Sequence, residues 1–271
     1  MTKTLGEIQA ELGDCRRCAL CETRSNIVFG VGNPHAEVMF IGEAPGKQED
    51  LGAEPFIGAA GQYLNSLLAL AGLTRPEIYI ANVLKCRPPE NRDPRAEEIE
   101  VCTDFLREQV KAINPVVLVT LGNFATRFIL KTDKGISGLR GQVHLTGRFS
   151  VLPIFHPAAA IYDRSKEAIM EDDFRLLGKL ISKRREERGQ REEYDREDAR
   201  SQEELARNEE SVQLEEPEQY EEPTQYEEPE QHEESTQYEE PEQHEEPAQY
   251  EEPALREELN QEDEYGQRGF L

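Results

Sequence analysis

Short, unbroken apolar runs alternate with stretches of helical spacing from the amino terminus to about residue 185. Residues 36–42 (AEVMFIG), 78–86 (IYIANVLKC) and 115–122 (PVVLVTLG) are dominated by consecutive apolar residues, the pattern of strands covered on both faces. Between them, residues 58–73 (GAAGQYLNSLLALAGL) and 93–113 (DPRAEEIEVCTDFLREQVKAI) return apolar side chains every three to four positions and read as helices. Pro94 falls in the first turn of the second helix, where its missing N–H leaves no bond unmade. A short helix opens the chain, residues 141–157 read as a hairpin-like pair whose last strand ends at His156, and a helix from about Lys166 to Arg188 closes the region. Strands alternating with helices predict an α/β fold, a mostly parallel central sheet between helices. Such a sheet delivers three loops to one edge: GEAPG at 42–46, NVLKC at 82–86 and HPAAA at 156–160. Open α/β sheets bind ligands at that carboxyl edge.

The pattern stops near residue 186, and composition changes with it. Residues 1–185 carry 24 Lys and Arg against 23 Asp and Glu, a net of +1. Residues 186–271 carry 7 against 33, a net of −26, so the whole-chain charge of −25 belongs to this segment. From Glu215 it repeats a hexapeptide, EEPEQY, EEPTQY, EEPEQH and onward, with one Tyr or His per unit and a proline in most units. Too little apolar surface is available there to offset the ordering entropy, so the expected layout is a folded domain at 1–185 and a disordered acidic tail at 186–271. The first twenty residues lack the apolar core of a signal peptide, and no apolar run is long enough to span a bilayer. These features predict a soluble cytoplasmic protein.

Chemistry is concentrated in the domain. Five cysteines lie within the first 102 residues: Cys15 and Cys18 as C-x2-C, then Cys21, Cys86 and Cys102. A C-x2-C pair with two further thiolates from elsewhere can complete a tetrahedron; the spacing is that of a zinc ion or a [4Fe–4S] cluster and does not separate them. At the end of the first apolar run, Gly42 and Gly46 let the backbone approach a ligand and Pro45 stiffens the bend beside Glu43. The KCRPPENRDPR stretch puts Lys85, Arg87, Arg92 and Arg95 within eleven residues, a density that suits phosphate contacts.

Taken in order, CRRCALCETRSNIVFGVGNPHAEVMFIGEAPG, EPFIGAAGQYL, NVLKCRPPENRDP and HPAAA resemble the family 4, iron–sulfur uracil-DNA glycosylases. The resemblance covers roughly residues 7–182 and leaves out the tail. It implies a parallel four-stranded sheet between helices, and a monofunctional enzyme that flips uracil out of single- or double-stranded DNA and hydrolyses its N-glycosidic bond, beginning base excision repair. It implies a [4Fe–4S] cluster on Cys15, Cys18, Cys86 and Cys102, with Cys21 outside the ligand set. Phe56 matches the stacking residue and Asn82 the amide that reads the uracil edge, with Gly42 closing on the base. His156 matches the donor to uracil O2, and Glu43 the residue that positions water or stabilises the sugar cation. Glu49 and Asp50 are weaker candidates for shaping the entrance. The loop after His156 enters the minor groove in this superfamily, which makes Ile161 or Tyr162 the apolar wedge.

Uracil-containing DNA is therefore the expected partner of a monomeric, nucleoid-associated enzyme. Two rival readings are a covalent trap for uracil-DNA and a scaffold acting through the tail. The trap needs a histidine near the RPP stretch, and none stands between Cys86 and Cys102. The final residues QRGFL, through Gln267, Phe270 and Leu271, loosely fit a sliding-clamp peptide.

Overall fold

The computed structural model describes residues 2–212, and the compact unit they build extends to Asp195. Helix α1 (Leu5–Leu12) starts at Thr4, whose hydroxyl accepts the Glu7 N–H at 3.3 Å while the Glu7 carboxylate accepts the Thr4 N–H at 2.7 Å. This capping box satisfies two amides that a helix start leaves unpaired. The cysteine segment follows, with a 3-10 turn at Ala19–Glu22. Next come β1 (Val31–Gly32), β2 (Val38–Gly42), α2 (Lys47–Gly52), α3 (Ala59–Leu70), β3 (Tyr79–Asn82), α4 (Ala96–Ile113) and β4 (Val117–Leu121). The remainder is α5 (Asn123–Leu130), α6 (Ile136–Leu139), β5 (His144–Thr146), β6 (Phe149–Ile154), α7 (Ala158–Tyr162) and α8 (Glu167–Val212).

The sheet has six strands in the order β1-β3-β2-β4-β6-β5. Its four central strands β3, β2, β4 and β6 run parallel, and β1 and β5 pair antiparallel at the two edges. The four parallel strands are the count the family resemblance implies, β5 and β6 form the hairpin-like pair expected at 141–157, and β1, two residues long, carries too little pattern to be read from periodicity. Alternation along each central strand splits the core. Val38 and Phe40 of β2, Ile80 of β3 and Val119 of β4 face Leu64, Leu67 and Leu68 of α3 and Phe174 and Leu177 of α8. Met39 and Ile41, Tyr79 and Ala81, and Leu118 face Leu106 and Val110 of α4 and Ala125 and Ile129 of α5. Burial on both faces is what removes polar positions from these strands.

Helix α8 departs most from the sequence expectation. Its first turns bury Met170, Phe174, Leu177, Leu180 and Ile181. Past Ile181 the sequence is rich in Glu, Lys, Arg and Gln, good helix formers that also pair along the helix, as Arg184 with Glu187 at 2.7 Å and Lys183 with Glu187 at 3.8 Å. Helix α8 runs on through residues 186–212, and the compact unit passes the expected boundary at 185. The hexapeptide repeat and the QRGFL terminus lie outside the described residues. Among the described residues, no helix is long and apolar enough to cross a membrane.

Candidate active site

Three strand ends converge at the carboxyl edge. Gly42 of β2 pairs in parallel register with Asn82 of β3, and the ladder runs on past both: Val83 N–H donates to Gly42 O at 2.9 Å and Leu84 N–H to Glu43 O at 3.0 Å. The Glu43 loop is thus fixed beside Asn82. Asn82 is 2% exposed, and its side-chain oxygen has no hydrogen-bond partner. A buried acceptor left unpaired costs ~1–3 kcal/mol, which folds retain where a ligand will supply the donor. Gly42 makes the space: a Cβ there would collide with Asn82 Oδ1 and come within 3.0 Å of the Phe56 ring.

Phe56 and His156 pack side by side at this edge. Their ring centroids are 5.5 Å apart at 32°, and Phe56 is 6% exposed. Phe56 has φ 55°, a left-handed backbone that costs a non-glycine residue ~1–3 kcal/mol and persists only when the surroundings impose it. His156 Nδ1 accepts the Ala158 N–H at 3.2 Å, which leaves the ring proton on Nε2. Burial pushes the His156 pKa down to about 4, with the Glu49 carboxylate opposing the shift, so the ring is a neutral Nε2–H donor near pH 7. Glu43 is partly buried, and burial, with Asp93 adding repulsion, raises its pKa. Glu43, Gly46, Asn91, Arg92 and His156 line one cavity of about 220 Å³. A larger open groove of about 620 Å³ lies between the end of α3 and α8, lined by Leu70, Lys179 and Lys183, and holds none of the strand-end residues.

The cysteine lobe abuts this edge. Cys86 is buried, and Cys15, Cys18, Cys21 and Cys102 are partly so. Cys86 Sγ accepts from Arg24 Nη1 at 3.4 Å, and Cys102 Sγ accepts the Lys85 N–H at 3.3 Å. Burial raises the Cys86 pKa to about 12 and that of Cys102 in the same direction, and the charges of Cys102 and Cys18 add to the first as those of Cys18 and Cys15 add to the second. The four thiols are thus electrostatic neighbours. Among the described residues, no three His, Cys, Asp or Glu side chains stand as a ready-made site for a metal ion.

Three expected roles change. Lys85 is fully buried, with Nζ donating to Asn82 O at 2.9 Å and Gln109 Oε1 at 2.6 Å, so it cannot reach a DNA phosphate. Its pKa falls to about 8 because burial disfavours the ammonium. Arg92 grips the buried Glu98 carboxylate through both terminal nitrogens, at 2.9 and 2.5 Å, and braces the loop before α4. Asp50 is 3% exposed and accepts the Ser25 and Asn26 N–H groups, which pins the cysteine segment to α2 and keeps this carboxylate from the entrance. Glu49 accepts the Gly58 N–H at 3.2 Å, and its charge acts on the His156 ring. Arg87 and Arg95 keep surface positions, Arg87 bonding Asn91 at 2.8 Å. At the end of α7, Ile161 is 49% and Tyr162 90% exposed. Sequence reading missed Arg24, Gln109 and Arg75; each acts on a distant segment, and Gln109 and Arg75 sit in no motif.

The Uracil DNA glycosylase superfamily model matches residues 29–177. A type-4 uracil-DNA glycosylase of Archaeoglobus fulgidus is 46% identical over 190 residues, covering 67% of this chain and 96% of the relative. This chain belongs to the type-4 uracil-DNA glycosylases. A type-4 relative from Thermotoga maritima is 42% identical over 58% of this chain and 85% of its own. A type-5 relative from Pyrobaculum aerophilum is 36% identical, over 47% of this chain and 63% of its own. The superfamily match contains Gly42, Glu43, Phe56, Asn82 and His156. Cys15 and Cys18 fall outside it, in the segment preceding residue 29.

Proposed function

We propose that this protein excises uracil from DNA by hydrolysing the N-glycosidic bond, which begins base excision repair. The unpaired, buried oxygen of Asn82 carries this reading. A uracil extruded from the stack offers an N3–H to that oxygen and an O4 to the amide N–H; cytosine presents the opposite pattern. Phe56 supplies a stacking face, and Gly42 leaves room for the ring. His156 Nε2–H is directed to O2, where negative charge develops as the bond breaks, and a neutral donor there stabilises the departing anion. Glu43 lies in the same cavity, as a general base on water or a counter-charge to the sugar cation. Lys85, the lysine closest to Asn82 in the motif, is buried and engaged by Asn82 and Gln109, which supports a hydrolytic reaction without a Schiff base. Tyr162, beyond His156 and almost fully exposed, is the better-placed wedge for the minor groove, with Ile161 behind it. Incubation with uracil-containing single-stranded DNA followed by alkali tests the reading. Breaks at uracil support it, a band that survives SDS indicates a covalent trap, and neither result leaves the scaffold.

Cys15, Cys18, Cys86 and Cys102 are the residues that would hold a [4Fe–4S] cluster. The donor set suits it: four thiols within electrostatic reach, with N–H groups of Arg24 and Lys85 directed at two of the sulfurs. When bound, the cluster supplies a rigid cross-link between the amino-terminal segment, the end of β3 and α4.

The acidic segment beyond the described residues is a polyanion tethered to a DNA-binding domain, and we assign it competition with DNA. Removing residues 213–271 should tighten binding to undamaged DNA at low salt, with the gain shrinking as salt rises; equal affinity at low salt overturns it. Docking of a sliding clamp on Gln267, Phe270 and Leu271 is the alternative reading of this segment, and we propose a monomer acting at the nucleoid.

A further inference from the structure

We infer that Arg75 is a positioning residue for base stacking: its guanidinium holds the strained Phe56 backbone and so presents the ring to the flipped base. The inference rests on the glycosylase reading above. Arg75 lies in the 3-10 turn Arg75–Glu77, whose start is fixed by Thr74 and Glu77. From there Nη2 donates to Pro55 O at 2.6 Å and Nη1 to Phe56 O at 3.0 Å, so one planar fork spans two successive carbonyls. Nη1 also reaches Asn65 Oδ1 of α3 at 3.2 Å, and Glu54 stands 3.7 Å from Nη2. The side chain is 23% exposed, so these bonds are shielded from water on most sides.

The grip falls on the residue whose backbone needs it. Phe56 is held at φ 55°, and its carbonyl is pressed against α3 at Gly61, where any Cβ would overlap it. Arg75 and Gly61 therefore fix the Phe56 carbonyl from two sides. Further along the same loop, Glu49 accepts the Gly58 N–H, so the segment is tied before and after the ring. Without the fork, the two carbonyls turn to water, the backbone relaxes toward negative φ, and the ring swings away from Gly42 and His156. Lysine at 75 restores a charge but only a point donor, and glutamine restores one donor to one carbonyl.

The test is kcat/KM for uracil excision by Arg75→Ala, Arg75→Lys and Arg75→Gln, with Arg75→Ala repeated in a Phe56→Ala background. Affinity for the same oligonucleotide lacking uracil is measured alongside. Arg75→Ala should lower kcat/KM by about 10- to 100-fold, the scale of a misplaced pocket group, with undamaged-DNA affinity unchanged. Lysine and glutamine should each recover part of the loss. In the Phe56→Ala background, Arg75→Ala should have no further effect, because the residue acts through that ring. An equal loss in both backgrounds, or no loss in the first, overturns the clamp while leaving the glycosylase reading intact. Wild-type protein that leaves uracil in DNA overturns that reading, and the clamp falls with it. Should Arg75→Ala fail to fold, the lysine and glutamine variants carry the same two-background comparison.

Discussion

Asn82 and Lys85 lie three residues apart on one buried segment, and their surroundings are opposite. Lys85 has its ammonium matched by Asn82 O and Gln109 Oε1, and Gln109 in turn donates to Phe29 O at 2.9 Å. Asn82 carries an oxygen with nothing to accept from. The contrast extends to the two regions they belong to. Around the cysteines, buried polar groups are paired: Glu98 with Arg92, Asp50 with two backbone amides, Arg24 with Cys15 O at 2.7 Å. At the strand ends, the Asn82 oxygen is unpaired, and His156 and a desolvated Glu43 line one cavity. Buried side chains around the cysteines are held by partners; the unpaired Asn82 oxygen at the strand ends is where a ligand is expected to finish the set.

The largest effect that can break this comparison is on turnover. His156→Ala should cut kcat by about 10²- to 10³-fold while DNA affinity stays near wild type. Asn82→Asp, which cannot donate to O4, should lower excision and relax uracil-over-cytosine discrimination. Wild-type turnover by His156→Ala would remove the site from the strand ends. Next in size is cofactor content: Cys86→Ser should strip iron and visible absorbance from protein purified without oxygen, and Cys21→Ser should keep both. One zinc and no iron in the wild type would contradict the cluster assignment.

A smaller effect separates Lys85 from its basic neighbours. Lys85→Met leaves Gln109 Oε1 and Asn82 O unpaired in the interior and should cost ~1–3 kcal/mol of stability by denaturant titration, without altering the salt dependence of DNA binding. Arg87→Ala and Arg95→Ala should do the reverse, each lowering the salt slope by about 1 with little change in melting. A change of slope in the Lys85 variant would return that residue to the DNA face. The smallest effect is in pH. His156 stays neutral above a pKa of about 4, so no limb of the kcat/KM profile should fall near the ordinary histidine value of 6.5. The acid limb should instead follow Glu43: its raised pKa means that activity disappears on acidification at a pH above 4.5, and Glu43→Gln should abolish that limb.

Much of this was legible in the sequence for a physical reason. Strands buried on both faces are apolar throughout, so β2, β3 and β4 stood out, and loops at their ends carried Glu43, Asn82 and, after β6, His156. The edge strand β1 did not, because two residues cannot show a period, whereas β5 and β6 are the hairpin-like pair read at 141–157. Charge misled twice. Lys85 sits among arginines in sequence, yet it continues a buried strand, and local composition does not report on which side of the chain the core lies. The glutamate-rich stretch after residue 186 reads as unstructured on hydropathy, while its helix propensity and spaced ion pairs carry α8 to Val212. Arg75 was invisible because its partners lie nineteen or more residues upstream, at Pro55 and Phe56, and only the fold brings them together.

The ladder that joins Gly42 to Asn82 continues through Val83 and Leu84, one residue short of Lys85 and two short of Cys86. Strand pairing repeats every two residues, so inserting a single residue between Asn82 and Cys86 would either rotate the cysteine to the opposite side or force the ladder to slip and turn the amide away from the pocket. The distance between reading head and cysteine lobe is therefore counted in whole residues, with no slack to absorb an insertion. Engineering of this chain, and its drift in nature, must conserve the spacing from Asn82 to Cys86.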